Sequence, residues 1–86
     1  MIFYYDKPQK VQFWMQDTPI DLTIAFFDED EECISVKKGK ALSEELIPED
    51  NVMFVIELNV NADVKPGDEL DIVGVDDDEY VMSVLD

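Results

Sequence analysis

Two carboxylate runs, Asp28-Glu29-Asp30-Glu31-Glu32 and Asp76-Asp77-Asp78-Glu79, have the spacing that most invites chemistry, because hard cations take several carboxylate oxygens. An EF-hand loop needs D-x-[DN]-x-[DN]-G and a glutamate at its twelfth position. Asp28 and Asp30 meet the first two spacings, but Glu32 replaces the third, no glycine follows, and flanking helices are missing. No dedicated metal site is expected. Acid–base catalysis would need one carboxyl whose pKa is raised by burial. Glu57, mid-strand beside Val55 and Met53, is the best placed, and a hydrogen-bonded structural glutamate is the simpler reading. The chain has no histidine, which removes Ser-His and Cys-His nucleophiles and histidine-based zinc sites. Cys33 therefore reads as a buried structural thiol. Gly39, Gly67 and Gly74 stand alone and make no phosphate loop, and Lys37, Lys38 and Lys40 form the one basic cluster. These residues point away from an enzyme and imply no cofactor.

The charge excludes more. Against 22 Asp and Glu stand 6 Lys and no Arg, a formal net charge of −16. Binding to DNA, RNA or an anionic membrane is not expected, because phosphate contacts need clustered cations. The acids gather in turns, which suits a solvated, solubilising shell. The alternative is an acidic inhibitor that mimics nucleic acid and occupies a DNA- or RNA-binding protein. The 47% hydrophobic content, with 5 Phe, 3 Tyr and 1 Trp, argues for a packed core rather than disorder. A lone cysteine permits no internal disulfide, and the start Met1-Ile2-Phe3-Tyr4-Tyr5-Asp6 lacks the basic n-region of a signal peptide. No apolar stretch approaches the roughly 20 residues that cross a bilayer. A cytoplasmic location is the expectation.

Period-two alternation must position whatever site exists, since helical periodicity is scarce. Ile2–Tyr5 and Lys10–Met15 read as two strands joined by a turn at Asp6-Lys7-Pro8-Gln9. Ile20–Asp28 and Cys33–Lys37 read as a hairpin around Glu29–Glu32, and Val52–Val60 is the strongest strand. Between them lies a loop, Lys38–Asn51, with one helical turn expected at Ser43–Leu46, Ser43 as its cap and Pro48 as its stop. Lys65-Pro66-Gly67-Asp68 predicts a type II turn, with Pro presetting φ and Gly supplying φ > 0. Glu69–Val75 and Glu79–Leu85 close the chain as a strand pair around Asp76-Asp77-Asp78. Phe13-Trp14-Met15 reads as core with Trp14 on the opposite face; an exposed Trp14 would become a contact anchor.

The run Phe13-Trp14-Met15-Gln16-Asp17-Thr18-Pro19-Ile20-Asp21-Leu22-Thr23-Ile24-Ala25-Phe26-Phe27-Asp28 resembles F-W-M-K-N-T-x-I-P-L-D-I-x-F-x-D, the hallmark of the family called domain of unknown function 192. Met1-Ile2-Phe3-Tyr4-Tyr5, Phe54-Val55-Ile56-Glu57-Leu58-Asn59 and Lys65-Pro66-Gly67-Asp68-Glu69-Leu70 are similar to its M-L-F-x-F, Y-V-L-E-L-x and closing G-D-x-[LV] blocks. The resemblance implies a small, mostly β domain and brings no established activity. Gln16 and Asp17 stand where the family has Lys and Asn, and Asp21 and Thr23 where it has Pro and Asp. A version lacking the family's strand before M-L-F is expected, and Asn59 to Lys65 is shorter than the family's excursion. That trimming suggests a compact, virus-encoded version. The resemblance directs attention to Asp17 and Thr18, with Glu57 as a neighbour.

The sequence thus predicts one domain over residues 1–86, all-β or β-rich α+β. The architecture expected is a small partly closed barrel or sandwich of six to seven short strands with at most one or two short helical turns. Its expected role is a non-enzymatic protein-interaction module, with Trp14, Asp17, Thr18 and Glu57 as the binding residues.

Overall fold

A computed structural model describes residues 2–76 and 79–85, and every regular element among them is a strand. These are β1 (Ile2–Phe13), β2 (Leu22–Phe27), β3 (Cys33–Gly39), β4 (Ile47–Asn59), β5 (Glu69–Asp76) and β6 (Glu79–Leu85). An antiparallel sheet in the order β1-β4-β2-β3 carries the core, and β5-β6 form a second antiparallel pair. The four-stranded sheet is not closed, since β1 and β3 are its edges. The β-rich reading therefore holds, with an open sheet where a barrel or sandwich was expected. The centre of the Asp76-Asp77-Asp78 turn lies outside the described residues.

Two expected elements are corrected. Ile2–Tyr5 and Lys10–Met15 are not separate strands: one 12-residue strand runs from Ile2 to Phe13 and bends where the turn was expected. Its register against β4 shifts between Tyr4 and Gln9 and again before Val11. Such irregularities kink a strand and increase its twist. Pro8 falls inside this interval, on an edge strand, where a missing N–H is tolerated. On the facing strand Asn51 takes φ 59°, a left-handed conformation that asparagine accepts more readily than most residues.

The helical turn at Ser43–Leu46 does not form. Ser43 Oγ does accept the Glu45 N–H at 3.2 Å, but this is a local serine turn with no helix after it. Pro48 explains the outcome, because a residue before proline is driven toward extended backbone. Ile47 accordingly opens β4 and pairs with Phe13, while Pro48 pairs with Gln12. At that end β4 is paired with β1 alone, so Pro48 removes no bond from β2.

The expected turn at Lys65–Asp68 is present. The Asp68 N–H donates to the Lys65 carbonyl at 3.1 Å, and Gly67 adopts φ 97°. The Asp68 carboxylate, buried, accepts the Lys65 N–H at 3.0 Å. The turn joins the hairpin because the Cys33 N–H reaches the Asp68 carbonyl at 2.7 Å and the Gly67 N–H reaches the Cys33 carbonyl at 2.8 Å.

Alternation along β2 and β4 gives the sheet two apolar faces. Ile24, Phe26 and Val55 face Val11, Met15 and Val52, while Ala25, Phe27, Phe54 and Ile56 join Cys33 and Leu70 in a second cluster. Burial on both faces explains why Thr23–Phe27 is buried at every position.

Candidate functional site

Strand β1 ends at Phe13, and the next two side chains part company. Met15 is buried, with its sulfur packed where Gly39 has no side chain; a Cβ on Gly39 would lie 2.7 Å from Met15 Sδ. Phe13 packs its ring 6.1 Å from that of Phe26, centroid to centroid. Trp14, between them, is left exposed. The loop that follows is knitted to the one entering β4. The Met15 N–H donates to the Ser43 carbonyl at 3.3 Å and the Leu42 N–H to the Thr18 carbonyl at 2.9 Å. Asp21 adds a carboxylate bond to the Ala41 N–H at 2.7 Å.

These paired loops hold out apolar side chains. Trp14 is 53% exposed, Ile20 61%, Leu42 60% and Leu46 57%, four large apolar side chains in solvent on one pair of loops. Leu42 also sits at φ 60°. The left-handed region costs an ordinary L-residue roughly 1–2 kcal/mol, and Gly or Asn is the usual occupant. The chain thus holds a leucine outward in a conformation that leucine disfavours.

The expected binding residues divide between two places. Trp14, Asp17 and Thr18 all lie in the first loop, with Asp17 exposed and Thr18 half-buried; Thr18 acts through its backbone, accepting from Leu42 and donating to the Met15 carbonyl at 3.0 Å. Glu57 is placed by the sheet instead. It is half-buried on β4, opposite Ile24, which on its other side is opposite Lys37. Ile20, Leu42 and Leu46 were not singled out in the sequence. The available signal was an apolar residue recurring within a polar, proline-ended loop.

Two of the three lysines of the basic cluster are engaged by acceptors of the fold itself. Lys37 Nζ donates to the Pro48 carbonyl at 2.5 Å, lies 3.5 Å from Glu49 and sits 5.9 Å from the Phe26 ring centre. Burial pushes the Glu49 carboxyl up, yet hydrogen bonds from the Asp50 N–H and the Ser35 side chain, with the Lys37 charge, outweigh it and hold Glu49 below the usual range. Lys38 Nζ donates to Thr23 Oγ1 at 2.8 Å and to the Val60 carbonyl at 2.9 Å, and the buried Thr23 hydroxyl itself donates to Val60 at 3.2 Å. Lys40 is exposed; with Lys38, Ser43, Glu45 and Ile47 it lines a hollow of about 140 Å³.

Several carboxylates likewise serve the backbone. Asp28 Oδ1 accepts the Asp30 and Glu32 N–H groups at 2.9 and 3.0 Å, shaping the acidic turn, which Glu31 closes at φ 64°. No cluster of three metal-ligating side chains occurs among the described residues. Cys33 is buried with its Sγ 3.6 Å from the Ser35 carbonyl, and desolvation pushes the thiol pKa up. An inert thiol is the consequence.

The fold and the exposed loops define a small antiparallel β domain that presents apolar side chains at one pair of loops. Residues 1–72 match the model of the DUF192 family, described as uncharacterized ACR, and the chain belongs to that family. Neither the curated proteins nor the solved structures compared with it include a match. The family's F-W-M run now has a division of labour: Phe13 and Met15 pack inward and Trp14 faces out. No helix among the described residues is long and apolar enough to cross a membrane.

Proposed function

We propose that this domain is a non-enzymatic protein-interaction module that docks a partner through Trp14, Ile20, Leu42 and Leu46. The observation that carries the reading is Leu42, exposed and held at a positive φ. Strain of this kind persists where the surroundings over-determine it, and it concentrates at functional positions. Trp14 supplies a large, rigid anchor of the type that dominates interface energetics. The backbone bonds between the loops fix both anchors on one frame, so little ordering entropy is lost on docking. Asp28, Asp68 and Asp21 are engaged with backbone N–H groups, which favours this reading over a carboxylate array that imitates nucleic acid.

The test is selection of a displayed random-peptide library on the immobilised chain, with counter-selection on Trp14→Ser. Peptides retained by the native chain and lost on both Trp14→Ser and Leu42→Asn are expected. Binders indifferent to both substitutions would contradict the proposal.

A further inference from the structure

We infer that the partner surface taken by these loops is apolar and cationic: an aromatic or aliphatic segment flanked by Lys or Arg. The inference rests on the docking reading above and adds the partner's charge. Trp14, Ile20, Leu42 and Leu46 supply the apolar contact. The same two loops carry the exposed residues Asp17, Glu44 and Glu45. Asp21 is also on the first loop, held against the Ala41 N–H.

What makes this rim acidic is how the nearby cations are used. Lys37 is turned to Glu49 and the Pro48 carbonyl, and Lys38 to Thr23 and the Val60 carbonyl. Among the described residues Lys40 alone of the cluster makes no such contact, and the same two loops carry three exposed carboxylates. An anionic partner would meet like charge on both loops, whereas a cationic one would be steered onto the apolar centre. Charges at an interface rim act mainly on association rate and partner choice, while the apolar centre supplies residence time. Trp14 adds a face on which a guanidinium or ammonium can stack.

The experiment reads the same peptide selection for charge and then titrates the recovered peptides against Asp17→Asn/Glu44→Gln/Glu45→Gln. The expected result is enrichment of Lys and Arg beside the apolar positions, with association to the triple variant slowed about tenfold or more at low salt. The difference should shrink as salt rises. Peptides that need Trp14 yet show no cationic enrichment, and bind the triple variant equally, would overturn this inference while leaving the docking reading standing. Absence of any Trp14-dependent peptide would overturn both. Circular dichroism of the triple variant, whose substitutions lie on exposed side chains, checks that the fold is kept.

Discussion

The rings of Phe3 and Phe13 lie 5.1 Å apart, centroid to centroid, although they are ten positions apart on one strand. A straight strand would hold them roughly 33 Å apart. The bend at Asp6–Gln9 therefore brings the two ends of β1 together over Phe26, and the same bend delivers Trp14 to the point where the loops meet. The core and the placement of the exposed Trp14 share this cause.

Truncating the ring inside the bend should be costly, and truncating its neighbour should not. Phe13→Ala is expected to lower unfolding free energy by about 2–3 kcal/mol, below the range for fully buried aromatic truncations because Phe13 is half-buried. Trp14→Ser should change it by less than about 0.5 kcal/mol. Urea denaturation of the two variants makes the comparison. As the sole tryptophan, Trp14 also gives a direct signal: its emission should be that of a hydrated indole and readily quenched by acrylamide.

Gly39 and Met15 should be energetically coupled. Gly39→Ala places a Cβ against Met15 Sδ and Cγ and against Ile24 Cδ1, and overpacking of this type costs about 1–3 kcal/mol. In combination with Met15→Ala the clash partner is gone, so the double variant should lose less than the two single losses added, by about 0.5 kcal/mol or more. Strict additivity in a double-mutant cycle would refute the contact.

Leu42→Asn should stabilise the domain while removing docking. Asparagine accepts the left-handed conformation and the lost leucine was exposed, so a gain of about 0.5–1 kcal/mol is expected. A residue whose replacement improves stability and abolishes binding has been kept for function. Thermal unfolding reads the first effect and peptide titration the second.

Acid should weaken the fold partly through Glu49. Its carboxyl pKa is lowered in the folded chain: burial raises it, but the Asp50 and Ser35 hydrogen bonds and Lys37 prevail. The resulting stabilisation is fully present above the unfolded-state pKa and is lost as pH falls through the folded value. Glu49→Gln should therefore flatten the stability profile on the acid side, with little change near neutrality. The pair is partly solvated, with Lys37 37% exposed, so the effect should stay below about 1 kcal/mol. Denaturation from neutral pH down through the carboxylate range measures it.

Strand identity was legible in the sequence wherever alternation met a buried face, as in Leu22–Phe27 and Phe54–Leu58. The Lys65–Asp68 turn was legible because proline and glycine fix φ locally. The bend of β1 looks in the sequence like a turn between two strands, since Pro8 marks an irregularity without saying whether pairing resumes along the same strand. Serine at 43 invited a helix cap, and the extended pull of Pro48 prevailed. Within the candidate site, the sequence points to Trp14, Asp17 and Thr18, which the structure places in one loop, and gives no local sign of the exposed Leu42 beside them. The Leu42 backbone pairs with Thr18, far away in sequence, and its positive φ carries no local sequence signal such as Gly or Asn.

The most direct test of the docking claim is an amide chemical-shift map of the isotope-labelled domain titrated with the tightest selected peptide. Docking at the loops should concentrate the shifts in residues 14–21 and 40–46 and lose them in Leu42→Asn. A footprint centred on the Ile2–Tyr4 edge of β1, or on the Glu57–Ile24–Lys37 row of the sheet, would contradict it.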